Sequence, residues 1–430
     1  MRFKERNINL QLENELVASG SHPVLAKIYA ARKIHSADEV NYDLDKLLPP
    51  DLLFSNIDVG NFLCDAILSN RKIVIVGDYD ADGATACACG MIGLKKFGAD
   101  VDFIVPNRFE YGYGLTPEIV DLALKKNPDI ILTVDNGIAS HEGVDAANKA
   151  GLEVIITDHH LPGNSLPNAK FIVNPNQKKC SFPSKSLCGV GVMFYVLLAL
   201  RIAFRNKNTD YDEPKLIDLL DLVALGTIAD LVPLDFNNRI LVSAGMNIIR
   251  GNKFNSGIKA IINESRKKNS SLKTSDLSFV IAPKINAAGR LSDMTTGIRC
   301  LLSDNLTQAT SYAKELIKFN ENRKQIESSM VISAIEELEN QKSSINYSIV
   351  LVNENWHEGV VGILASRLKE KYFRPTIAFA KHNEELIKGS GRSIESFHLR
   401  DALDVVSKRY PSLIHTFGGH AMAAGLTIKK

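Results

Sequence analysis

The chain is sparing in the features that mark specialised protein classes. It has one tryptophan in 430 residues, and aromatics make up 7% of it. Few aromatics stand near the motifs singled out below, chiefly Phe109, Tyr111, Tyr113 and Trp356. The formal net charge is only +2, which excludes a global polycation. Any contact with nucleic acid has to be a local groove of Lys and Arg. Six cysteines are present and none forms a CxxC pair, which removes the common zinc modules and suits a reducing cytoplasm. The opening Met1-Arg2-Phe3-Lys4-Glu5-Arg6 is charged and has no apolar stretch behind it, unlike a signal peptide. The longest apolar run, near residues 190–204, is short and interrupted for a membrane span, so no membrane role is expected. There is no internal repeat and no low-complexity tract. What remains is ordinary globular composition, 45% hydrophobic and 23% charged, in a chain long enough for two or three domains.

Against that plain background one stretch stands out. Ile73-Val74-Ile75-Val76 is a β-branched run that stops on Gly77-Asp78-Tyr79-Asp80-Ala81-Asp82-Gly83. Four apolar residues bounded by turn chemistry predict a strand buried on both faces. Three carboxylates so close together repel one another, and a hard cation, Mg²⁺ or Mn²⁺, would hold them. The pattern recurs. Asp129 to Asp135 read as a second apolar strand ending on an acid. Glu153 to Thr157 form a third, ending on Asp158-His159-His160. Helical segments separate these strands, which predicts βαβ units and a parallel sheet. Right-handed crossovers bring all the strand carboxyl ends to one edge. Asp80, Asp82, Asp135, Asp158 and His159 then converge on the crevice where open α/β sheets bind ligands. A turn former or helix cap accounts for any one of these acids alone. It does not account for the whole set with two adjacent histidines.

Asp158-His159-His160 after a strand, with Gly77-Asp78-Tyr79-Asp80-Ala81-Asp82-Gly83 and Thr133-Val134-Asp135-Asn136-Gly137 upstream, resembles the DHH phosphoesterase superfamily. Within it, the chain is similar to the RecJ family of single-strand-specific exonucleases. The similarity rests on Gly226-Thr227-Ile228-Ala229-Asp230-Leu231-Val232-Pro233-Leu234, Asn286-Ala287-Ala288-Gly289-Arg290-Leu291 and Gly418-Gly419-His420-Ala421-Met422-Ala423-Ala424-Gly425, in that order. The resemblance implies two α/β domains joined by a long helix: a parallel-sheet DHH domain and a smaller DHH-associated domain, with the active site in the groove between them. The expected divisions are an N-terminal helical extension over 1–54 and a DHH domain over 55–240. A helical region over 241–303 carries Arg290, a connector helix follows over 304–343, and the second domain covers 344–430. Its helical stretch, Leu306 to Gln341, would reach about 50 Å at 1.5 Å per residue.

The resemblance also implies roles. Asp80, Asp82, Asp135, His159 and Asp230 would ligate two ions, Mn²⁺ or Mg²⁺, with Asp78 and Asp158 orienting them. Related phosphohydrolases carry a further histidine where this chain has Val76. His160 would meet the phosphate or the leaving oxygen, unless it merely bonds a backbone carbonyl. Arg290 would contact a phosphate, with Asn286 beside it. Arg108, Ser390 and Arg392 would take a 5′ phosphate, the latter two in a Gly-Ser-Gly-Arg turn. Gly418, Gly419 and His420 would offer a flat surface to a strand backbone. The implied activity is metal-dependent hydrolysis of single-stranded DNA from the 5′ end, releasing 5′ mononucleotides for repair and recombination. A cytoplasmic monomer is expected, with a single-strand-binding protein or helicase as candidate partner. A phosphodiesterase of short oligoribonucleotides or cyclic dinucleotides is the competing enzyme; a catalytically idle nucleic-acid-binding protein is the competing non-enzyme. Family members usually continue past the glycine-rich motif into an oligonucleotide-binding barrel. This sequence stops at Lys430, so a weak, salt-sensitive grip on single strands is expected of these 430 residues.

Overall fold

The computed structural model describes residues 6–32, 34–207, 211–340 and 347–430; the side chains of Arg108 and Phe109 also lie outside the described part. The expected domain start near Ser344 falls among the residues not described. The chain divides into two units, residues 1–286 with 293–314, and residues 287–292 with 315–430. The long helix Leu306–Asn340 therefore contributes to both.

The first unit is built on a five-stranded parallel sheet: β1 Ile73–Gly77, β2 Val101–Ile104, β3 Ile130–Val134, β4 Glu153–Thr157 and β5 Phe171–Val173. Strand order is β2-β1-β3-β4-β5. Every residue of β1 and β3 is buried, as their unbroken apolar runs require. Val74, Val76, Ile131, Val154 and Ile156 pack with Leu115, Ile119 and Val144 from the crossover segments. The apolar helix Gly189–Asn206 is long and apolar enough to cross a membrane by length and composition, yet 72% of it is buried inside the fold, where it packs on the helices Asn56–Leu68 and Ala81–Lys96. All six cysteines are buried with free thiols. A 3₁₀ turn over Leu216–Leu219 leads into the helix Leu220–Ala229.

The second unit carries a mixed sheet ordered β6-β7-β8-β10-β9. Its strands are β6 Ile349–Val352, β7 Thr376–Lys381, β8 Leu386–Arg392, β9 Ile414–Gly419 and β10 Ala423–Lys429. Only the β6–β7 pair is parallel among the pairings of this sheet. Gly389 to Arg392, expected to form a turn, continue β8 as extended strand. The glycines there serve packing: a Cβ on Gly389 would lie 2.4 Å from the Phe379 ring, and one on Gly391 would lie 2.6 Å from Leu399. Glu327, buried on the long helix, accepts from Arg323 at 2.7 Å and from Arg367 at 2.8 Å, which ties that helix to Val361–Tyr372.

Candidate metal centre and phosphate-binding residues

The parallel register explains the first site. Gly77 pairs with Val134, Val134 with Thr157, and Thr157 with Val173. The next residue on each strand is Asp78, Asp135, Asp158 and Asn174, so these four form one polar row along the carboxyl edge. The strand order reverses between β1 and β3, and that switch point is where such sheets bind ligands. Asp78 and Asp80 lie on one side of it and Asp135 on the other. Asp80 caps the helix Ala81–Lys96 by accepting from the Gly83 amide at 3.0 Å, and Asp82 sits in its first turn. Asp230 caps the C-terminus of Leu220–Ala229.

Ligand-type atoms cluster within 4.8 Å of one another in overlapping sets: Asp78, Asp80 and Asp135; Asp82, His159 and Asp230; Asp135, His159 and His160. His159 Nε2 stands 3.1 Å from Asp135 Oδ1, 3.6 Å from Asp230 Oδ2 and 4.0 Å from Asp82 Oδ2. Asp135 Oδ1 is nevertheless a buried oxygen with no hydrogen bond. Asp135 also adopts φ +62°, a left-handed conformation uncommon for a residue with a Cβ. Gly189 makes room for it: a Cβ there would lie 2.5 Å from the Asp135 Cβ.

The electrostatics are those of an anionic cage. Burial, and then Asp80, push Asp82 up to about 7 against the pull of the Val190 and Gly189 amides, which donate to it at 3.0 and 2.6 Å. Burial, Asp82 and Asp80 push Asp230 up to about 8. Burial and the same neighbours hold Asp135 well above the usual carboxylate range. Burial, helped by His160, pulls His159 down to about 4, leaving a neutral imidazole free to ligate. Carboxylate oxygens that destabilise one another, an orphaned buried oxygen and a neutral imidazole aimed at one point fit a hard divalent cation, Mn²⁺ or Mg²⁺.

His160 is different. Burial pulls its basicity down, but the hydrogen bond and charge of Asp158 outweigh it and raise it to about 9. Asp158 Oδ1 accepts from His160 Nδ1 at 2.7 Å and from the His159 and His160 amides at 2.7 and 3.1 Å, while Oδ2 accepts from the Ile138 amide at 2.9 Å. Asp158 is thus saturated and holds the double-histidine turn. Two residues that sequence reasoning missed complete it: the Asn174 amide donates to the His160 carbonyl at 2.9 Å and the Asn176 amide to the His159 carbonyl at 2.6 Å. They follow β5 on the same edge, which was the available signal. Tyr113, also from the site edge, brings its hydroxyl to 3.5 Å from the His160 ring and 3.4 Å from the Asp135 carbonyl. Asn286 accepts from the Ala81 amide at 2.7 Å, steadying the loop beside Asp80.

The second unit gathers its own set. Arg290 Nη1 donates to the Gly359 carbonyl at 3.4 Å, just before the helix Val361–Tyr372. Arg392 Nη1 donates to Ser390 Oγ at 3.0 Å and to the Gly391 carbonyl at 2.8 Å. A Cβ on Gly362 would lie 2.9 Å from Ser390 Oγ and 3.0 Å from Arg392 Nη2. Two guanidiniums and a hydroxyl therefore flank one helix N-terminus, an arrangement suited to a phosphate. Ser390, Gly425 and Gly418 are in register across β8, β10 and β9. Gly418, Gly419 and His420 are exposed at the end of that hairpin. The Arg108 side chain lies outside the described residues.

Comparison with known proteins decides the family. Residues 72–227 match the DHH family N-terminal domain, and residues 343–430 match the DHHA1 domain. The single-stranded-DNA-specific exonuclease RecJ of Salmonella typhimurium is 48% identical over 417 residues, covering 95% of this chain and 72% of that protein. The chain belongs to the RecJ family. A crystal structure of exonuclease RecJ bound to manganese superposes with TM-score 0.74 at 34% identity, over 89% of this chain and 91% of that one. RecJ of Thermus thermophilus in complex with Mn²⁺ superposes with TM-score 0.81 at 32% identity, over 98% of this chain and 58% of that one. The Thermus protein is also known with Mg²⁺.

Proposed function

We propose that this chain is a metal-dependent exonuclease of single-stranded DNA that works from the 5′ end and releases 5′ mononucleotides with two ions. The observation that carries the reading is the pairing of Asp135 Oδ1 with His159 Nε2 at 3.1 Å without a hydrogen bond, inside a cluster of mutually repelling acids. The activity in the name of the Salmonella relative supports the substrate, and the manganese and magnesium in RecJ structures support the ions.

In this reading Asp78, Asp80 and Asp135 hold one ion, and Asp82, His159 and Asp230 the other. Bound divalent ions supply an activated water and neutralise charge on the phosphate oxygens. Asp78 shares a cluster of ligand-type atoms with Asp80 and Asp135, and in this reading it joins the ligands. Asp158 keeps His160 protonated and correctly turned, so His160 can donate to the phosphate or to the leaving oxygen. Arg290, Ser390 and Arg392 bind phosphates, with Arg392 and Ser390 on the terminal one and Arg108 as a further contact. Gly418, Gly419 and His420 let a strand backbone pass close to the sheet.

The test is digestion of one single strand labelled at its 5′ end or its 3′ end, with and without Mn²⁺. The reading expects the 5′ label to appear at once as a mononucleotide and the 3′ label to stay on long fragments until late. The opposite order would reject the polarity, and cleavage in the middle of the strand would reject an exonuclease.

A further inference from the structure

Leu277 to Ile281 form a π-turn that leads into the helix bearing Asn286. Such turns are rare and often accompany function. The wide turn buries Leu277 and Ile281 on one side, and Phe279, between them, is 77% exposed. A phenylalanine that bare on a folded surface is unusual. The turn and the helix it leads into are each bonded to a segment of the metal centre. Ser278 Oγ donates to the Ile228 carbonyl at 3.3 Å, two residues before Asp230. Asn286 takes the Ala81 amide beside Asp80. Leu231, which follows Asp230, is 74% exposed and adopts φ +60°, a conformation that costs a leucine energy. The segment that delivers Asp230 and the turn bonded to it thus each put an uncovered apolar side chain into solvent.

Resting on the nuclease reading, we propose that Phe279, backed by Leu231, is a stacking platform for a base of the single strand whose phosphate lies at the metal centre. The chemistry selects the ligand. Neither side chain offers a polar atom, so neither reads a base edge or a phosphate. A π-face accepts every base alike, as an enzyme that degrades any sequence requires. Stacking also holds the strand without adding positive charge, of which this chain has little to spare.

The test compares wild type, Phe279→Ala and Phe279→Tyr. The probes are a single strand of mixed sequence and a strand of equal length made of abasic residues, which keeps the phosphates and lacks the bases. KM and kcat are measured in Mn²⁺, and affinity is measured by anisotropy in EDTA. Phe279→Ala is expected to raise KM and weaken affinity for the normal strand by about fivefold to a hundredfold, the range for loss of one stacked base, with kcat little changed. Phe279→Tyr, which keeps the ring, retains wild-type values. Wild type and Phe279→Ala should handle the abasic strand equally. Unchanged affinity of Phe279→Ala for the normal strand overturns the platform and leaves Phe279 to a protein surface. An equal loss on both strands overturns it too. If wild type cleaves nothing, the nuclease reading fails, and anisotropy alone still decides the platform.

Discussion

Asp135 Oδ1 and His159 Nε2 face each other across 3.1 Å and share no hydrogen bond. In a buried site with no third party, that contact wastes an acceptor. With a cation, both atoms gain a ligand bond. The acids around them share this logic: each is destabilised by its neighbours as a carboxylate and stabilised by a common positive charge.

A stability experiment follows directly. Mn²⁺ binding only to the folded protein should raise its melting temperature, by an amount equivalent to about 2.7 kcal/mol at a hundredfold excess over Kd. Asp135→Ala should melt at or above wild type in EDTA, because one repelling charge is gone, and should lose most of the rise in Mn²⁺. An Asp135→Ala protein that keeps the full Mn²⁺ shift would remove Asp135 from the ligand set.

Asp221 gives a prediction independent of the site. It is buried at the start of the helix that carries Asp230, and burial pushes it up to about 6 against the amides of Asn255 and Leu222. An unfolded aspartate ionises near about 3.9. The fold therefore holds the proton more tightly than the unfolded chain. Its contribution to stability falls as pH rises from about 4 to about 6 and is level above that, by roughly 3 kcal/mol at most. Asp221→Asn lacks this titration. Unfolding in urea, measured in EDTA across that range, should show the variant gaining on wild type as pH rises. A constant difference between the two would contradict the buried, protonated carboxyl.

Arg392 and Ser390 predict a substrate preference. A 5′-phosphorylated strand should be cut faster than a 5′-hydroxyl strand, and Arg392→Ala should erase most of the difference, on the order of tenfold for one charge-assisted contact. Time courses on the two substrates measure it. A preference that survives in Arg392→Ala places the terminal phosphate elsewhere.

Much of this was legible in the sequence, for identifiable reasons. β1, β3 and β4 are apolar without interruption, and each stops on an acid, so strand, burial and site edge were written together. Asp230 needed the motif as well, since a helix rather than a strand delivers it. What was hidden has a common cause: it resides in groups that carry no pattern. The Gly189 and Val190 amides that hold Asp82 are backbone. Asn174 and Asn176 are uncharged, so nothing about them signalled repulsion or a missing cation. Gly389 and Gly391 looked like turn residues, because a glycine demanded by a neighbouring ring reads the same as one demanded by a turn. Phe279 lies outside every motif, and a single phenylalanine in an apolar segment reads the same buried or exposed.

In the proposed function the acid–imidazole cluster drives strand hydrolysis. The most direct measurement is mononucleotide release from single-stranded DNA by wild type and Asp135→Ala, each with Mn²⁺ and with EDTA. Release by wild type in Mn²⁺ alone, with loss of at least about a hundredfold in the other three cases, is the predicted result. Release by wild type in EDTA, or wild-type turnover by Asp135→Ala in Mn²⁺, would contradict it.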